Sequence, residues 1–96
     1  MTRSILSFAT LVCLTSTTAA QDFHEQVDHG YANNNGVRIH YAHLGDGPLV
    51  VMLHGFPDYW FTWRHQMTEL SKNFRVVALD LRGYNLSDKP TGVSAY

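Results

Sequence analysis

Apolar and polar residues follow two different periods along this chain. Over residues 37–42, Val37, Ile39 and Tyr41 fall on one side and Arg38, His40 and Ala42 on the other, the period of two that marks a β-strand. Asn35-Gly36, immediately before it, is a hairpin turn pair, so the segment near residues 27–32 is the expected antiparallel partner. Gly45-Asp46-Gly47-Pro48 marks a second turn. Residues 49–53 (LVVML) then run apolar without alternation, the pattern of a strand covered on both faces, as in a parallel sheet. Beyond Pro57 the period lengthens. Trp60, Trp63, Met67 and Leu70 stand at i, i+3, i+7 and i+10, one stripe of a core-facing helix that stops near Asn73, with Asp58 available as its N-cap. FRVVALD, residues 74–80, is another short buried strand. Strand, helix, strand in that order predicts a right-handed parallel crossover, and the fold class is α/β with a mixed, mostly parallel sheet.

The first residues have another character. MTRSILSFATLVCLTSTTAAQD carries one early cation, Arg3, an apolar run over residues 5–14, a Ser/Thr-rich stretch, and small residues at Thr18 and Ala20 just before Gln21. These are the parts of a secretory signal peptide, with cleavage expected after Ala20. An apolar run of that length falls short of the ~20 residues a membrane span needs, so no stable membrane anchor is expected. Val12 before Cys13, where a small residue would be needed, argues against a lipoprotein. Residues 1–20 are thus read as leader and 21–96 as the mature part, secreted or periplasmic. The only cysteine, Cys13, leaves with the leader, so the mature part has no disulfide or thiolate nucleophile.

Composition narrows the function classes. The chain has 96 residues, 45% hydrophobic, with a net charge of -1, material for one domain at most. Its seven Lys and Arg are scattered, which excludes a basic stripe for nucleic acid. His40 and His43 invite a metal reading, but three apart on a strand they point to opposite faces; neither metal nor cofactor is expected. Arg82, near Asp80, is expected to hold the loop through an ion pair. Asn85-Leu86-Ser87 is a glycosylation sequon, relevant only where secretion passes through an endoplasmic reticulum.

The candidate chemistry sits where the apolar strand ends, at His54-Gly55-Phe56-Pro57. In open α/β sheets, function lies just outside the carboxyl ends of the strands. Gly55 is expected to let the backbone turn where a side chain would clash. Pro57 lacks an N–H and fixes its own φ, so the preceding peptide can be held rigid, the cis form included. The group left aimed outward is the backbone N–H of Phe56, one half of an oxyanion hole. His54 is read as a brace for the turn rather than a proton carrier, and Trp60 as helix core first and pocket wall second.

HGFPDYWFTWRHQ together with DLRGYNLSDKP resembles the amino-terminal part of an α/β-hydrolase of the epoxide hydrolase type: HGFP, two tryptophans three apart followed by Arg, then a D-x-RG-Y-x-x-S-x-x-P loop. The resemblance covers about residues 31–96. Haloalkane dehalogenases usually place Asn or Glu where this chain has Phe56. Fluoroacetate dehalogenases share HGFP but space the next aromatic differently. The family commonly has Gly where this chain has Asn85, the non-glycine residue that best tolerates positive φ.

The resemblance implies an Asp nucleophile that opens an epoxide to an alkyl-enzyme ester, which a His-activated water then hydrolyses, with Phe56 N–H serving the oxyanion. The substrate is a small molecule, an epoxide or ester, with water as co-substrate. Hydrolases of this fold carry the nucleophile on a turn after the next strand, and the acid and catalytic His follow later. Tyr96 precedes all three and the cap domain, so the chain is read as the amino-terminal third or quarter of an incomplete α/β-hydrolase fold, inactive on its own. His54 is not the family's catalytic histidine. In the family, the strand ending at His54 lies between the strand ending at Asp80 and the nucleophile strand, so its second edge is expected to be unpaired here. A serine esterase, a haloacid or haloalkane dehalogenase of the same fold, and a non-catalytic fragment or interaction module are the alternatives.

Overall fold

The computed structural model describes residues 19–96. Most of the expected leader, residues 1–18, lies outside the described residues, and the expected cleavage bond after Ala20 falls in the first turn of helix α1 (Ala19–Gln26). Four strands follow, β1 (Asp28–Asn34), β2 (Val37–Leu44), β3 (Leu49–Met52) and β4 (Arg75–Leu79), with the helical segment between β3 and β4. They form one sheet in the order β1-β2-β4-β3. β1 and β2 pair antiparallel, β2 and β4 antiparallel, and β3 and β4 parallel.

The hairpin follows from local chemistry. Asn35 and Gly36 both take positive φ, 53° and 88°, the pair of conformations a two-residue turn needs. The Asn33 side chain accepts the Gly36 N–H at 2.7 Å. Asn34 then faces Val37, and the register runs on to Asp28 opposite His43.

One face of the sheet carries the core. Ala42, Val76 and Ala78 are buried on it, covered by Phe23 and Val27 from the amino-terminal side and by Trp60 and Met67 from the helical segment. The expected stripe is in place, with Trp63 and Leu70 packed against the same core. The segment is not one α-helix, however. A 3-10 turn, Trp60–Trp63, leads into α2, Arg64–Leu70. Asp58 does not cap it: its carboxylate accepts the adjacent Tyr59 N–H, and the Trp60 N–H goes to Asp80 Oδ1 at 2.8 Å. The chain has closed around a carboxylate supplied by a strand end twenty residues away.

β3 also departs from expectation. Its exposure alternates: Leu49, Val51 and Leu53 are 60%, 50% and 57% exposed, while Val50 and Met52 are half-buried beside Val76 and Ala78. It is an edge strand, and among the described residues only one face of the sheet has a layer over it. The unbroken apolar run reflects two faces that both require cover, of which one has it.

Candidate functional site

β3 and β4 are parallel neighbours with Met52 opposite Ala78, so the residues just past their ends, His54 and Asp80, come side by side.

Asp80 is completely buried, and its carboxylate gathers four donors. His40 Nδ1 lies 2.7 Å from Oδ2, Asn85 Nδ2 2.9 Å and the Leu86 N–H 3.4 Å, while Oδ1 takes the Trp60 N–H. Burial by itself pushes this carboxyl up. The hydrogen bonds from His40, Trp60 N–H and Asn85, with the attraction of the His40 ring, outweigh it and hold Asp80 below the ordinary carboxylate range. Its main chain is held as well, since its N–H donates to the His40 carbonyl and its own carbonyl accepts Ser87 Oγ at 2.6 Å. Ser87 Oγ accepts the His40 N–H in turn, and Asp88 Oδ2 accepts the Arg38 N–H, so the loop after β4 extends the ladder along β2 with side-chain acceptors.

Asn85 turns that loop with φ 45°, a positive value that asparagine tolerates better than other non-glycine residues. Arg82 does not reach Asp80. It donates to the Ala95 carbonyl at 2.5 Å, because the Asp80 carboxylate is enclosed and already occupied by neutral donors and His40.

His40 is the residue that sequence reasoning missed. It points into the covered face, is 1% exposed, and its Nε2 lies 3.0 Å from His29 Nδ1, whose Nε2 reaches the His24 carbonyl at 2.9 Å. A file of two imidazole rings thus runs from the main chain of α1 through β1 and β2 to Asp80. His43 lies on the opposite face beside Tyr41, as its spacing requires. Among the described residues no group of three or more His, Cys, Asp or Glu side chains is placed to hold a metal ion. A histidine between Ile39 and Tyr41, paired with an acid forty residues on, leaves no periodic signal.

At the end of β3, His54 is buried. Its Nδ1 donates to the Gly55 carbonyl at 2.9 Å, its Nε2 accepts the Leu81 N–H at 3.0 Å, and the Tyr84 ring packs edge-on at 4.8 Å. The Gly55 carbonyl accepts a second bond, from the Asp58 N–H at 3.0 Å. Phe56 is 86% exposed, and its N–H has no acceptor among the described residues. The Phe56–Pro57 bond is cis. An added Cβ at Gly55 would meet no atom within 4 Å, and its φ is not left-handed, so the clash expected there does not arise among the described residues. Trp60 is not a pocket wall: it has no exposed surface and is enclosed by Phe23, His24, His29, Tyr59 and Phe61. It belongs to the core alone.

The chain is 51% identical over 69 residues to the AB hydrolase superfamily protein YfhM of Bacillus subtilis, covering 69% of this chain and 24% of that protein. It is 45% identical over 73 residues to Epoxide hydrolase 3 of Siraitia grosvenorii, covering 75% of this chain and 23% of that one. Its fold matches the crystal structure of an epoxide hydrolase from Vigna radiata with a TM-score of 0.72 at 45% identity, over 75% of this chain and 24% of that one. The chain therefore spans about a quarter of the length of the relatives it matches. Residues 48–96, half of the chain and the part that carries His54, Phe56 and Asp80, match the alpha/beta hydrolase fold family, and the chain belongs to that family.

Proposed function

We propose that this chain forms the oxyanion-hole-bearing part of an epoxide hydrolase, exported with cleavage of a leader after Ala20. The observation that carries the reading is the Phe56 N–H: exposed at the carboxyl end of a strand, with no acceptor among the described residues, on a peptide whose carbonyl is held by two donors. Similarity to proteins named epoxide hydrolases supports the substrate class.

The proposed reaction has two steps. A carboxylate oxygen of an aspartate attacks an epoxide carbon, the ring C–O bond breaks, and the resulting alkoxide takes a proton, leaving a hydroxyalkyl ester. Water, deprotonated by a histidine, then adds to the ester carbonyl, whose π electrons move to oxygen. Phe56 N–H receives that oxyanion. Collapse expels the diol oxygen, which is protonated, and restores the carboxylate. Losing one such preorganised donor typically raises the barrier by ~3 kcal/mol. The aspartate and the histidine belong to the whole hydrolase that carries this chain.

A single turnover in heavy-oxygen water, with enzyme in excess, tests the reading. The expected result is label in the protein carboxylate and none in the first-turnover diol. Label in the diol with none in the enzyme refutes the ester route. Cleavage of simple esters without epoxide turnover assigns the protein to serine esterases instead.

A further inference from the structure

The Gly55 carbonyl and the Phe56 N–H are two ends of one planar peptide, and in a trans unit they point in opposite directions. Whatever fixes the carbonyl therefore aims the N–H. Two donors fix it, His54 Nδ1 at 2.9 Å and the Asp58 N–H at 3.0 Å, using both lone pairs of the oxygen. His54 serves as a donor only with its proton on Nδ1. The choice is set from the other side of the ring, where the Leu81 N–H points at Nε2 from 3.0 Å and requires a lone pair there. Leu81 cannot drift, because the residue before it is pinned through side chain and main chain to His40, Trp60, Asn85 and Ser87.

Resting on the reading that Phe56 N–H receives the oxyanion, we propose that His54 is its positioning residue. Its Nδ1 hydrogen holds the Gly55–Phe56 peptide with the N–H outward, and the Leu81 N–H keeps that hydrogen on Nδ1. A peptide free to rotate would present the Gly55 oxygen to the developing oxyanion and replace attraction by repulsion. His54 is buried, and both of its ring nitrogens are engaged by main-chain groups. It acts only through the peptide, and so only on the step that forms an oxyanion at the ester carbonyl.

That restriction makes the proposal separable from a general structural role. Ring opening leaves its charge on the epoxide oxygen, so its rate is insensitive to His54. In the hydrolase that carries this chain, His54→Phe is expected to slow ester hydrolysis by about 10–100-fold, less than the ~10²–10³ of deleting an oxyanion donor because Asp58 N–H still holds the carbonyl. Ester formation stays at the wild-type rate, and the ester accumulates in acid-quenched samples read by intact-protein mass spectrometry. Two isosteres guard against a variant that fails to fold. His54→Asn puts an amide N–H at the place of Nδ1 and should recover most of the hydrolysis rate. His54→Gln puts its amide at the place of Nε2, can satisfy Leu81 but not Gly55, and should remain slow. A wild type that forms no ester overturns the epoxide hydrolase reading itself. A wild type that forms ester overturns this proposal alone if His54→Phe hydrolyses it normally, if both steps slow equally, or if His54→Gln hydrolyses as fast as His54→Asn.

Discussion

His40 and Asp80 join β2 to the end of β4 through an Nδ1–Oδ2 contact of 2.7 Å, with both side chains sealed from solvent. Around it the chain has arranged the 3-10 turn, the loop after β4 and the ring file from α1. Removing one partner leaves the other buried without its complement.

Asp80→Asn is accordingly expected to cost about 3–5 kcal/mol of stability, the usual consequence of breaking a buried pair from one side. Urea unfolding of the hydrolase that carries this chain measures it. His40→Ala should cost less, and the double variant less than the two singles combined, by about 0.5–3 kcal/mol of coupling. Additive costs would mean that the two side chains are neighbours without being partners.

Acid should weaken the fold through the same residue. The folded carboxyl lies below its ordinary value, and an unfolded aspartate titrates near ~3.9. The unfolded state therefore binds the proton first. The stabilisation is fully present above the unfolded value and is lost as pH falls through the folded one. Urea midpoints measured from pH 7 down to pH 3 should fall with pH in the wild type, and more shallowly in Asp80→Asn.

Gly83 has φ 89°, and a Cβ there would stand 2.8 Å from Tyr96 Cε1. The contacted atom lies in a side-chain ring and can shift, whereas the backbone conformation cannot be relieved. Gly83→Ala is therefore expected to cost about 1–2 kcal/mol, the penalty of a left-handed L-residue. Adding Tyr96→Ala should recover little of it, as thermal denaturation of the pair will show.

Neighbouring valines of β3 should behave oppositely in the isolated chain. Val51 faces solvent, while Val50 lies beside the buried Val76. Val51→Lys is expected to reduce aggregation of the 96-residue chain without lowering its helix and strand content, whereas Val50→Lys should unfold it. Light scattering and circular dichroism distinguish them, and equal behaviour would contradict the one-sided cover of β3.

The processing site is expected at Ala20-Gln21. Phe23 and Val27, on the mature side of that bond, pack in the core. Mass spectrometry of exported protein should find Gln21 first; a start at Met1 or Thr2 would exclude cleavage.

What the sequence made legible was local. Asn35-Gly36 announces its own turn, alternation announces β2, and the tryptophan stripe announces a helical face, because each depends on residues within a few positions. The elements that went unread depend on distant partners. Asp58 is the neighbouring candidate for a cap, yet the cap is Asp80, brought beside Trp60 only once β3 and β4 have paired. Arg82 is close to Asp80 in sequence, yet by then the carboxylate has been enclosed. His40 shows the same limit, since nothing within ten residues signals that a histidine on that face has an acid to meet. His54 could be read as a brace for the turn, but the carbonyl it holds and the tautomer it needs could not, because the Leu81 N–H that selects that tautomer arrives from the end of the next strand.

The tie between Asn85 and Asp80 bears on how the protein is made. The sequon Asn85-Leu86-Ser87 is written across the loop that closes the buried carboxylate, with the Asn85 amide on Oδ2 and the Ser87 hydroxyl between two main-chain groups. Oligosaccharyl transfer acts on the chain as it enters the endoplasmic reticulum, before these bonds exist. A glycan on Asn85 would replace a hydrogen of the amide that must donate to Asp80, at a loop where Leu86 and Ser87 also have to close. Export from a bacterial host leaves that nitrogen bare, while secretion from yeast sets sugar attachment against loop closure at the same atom.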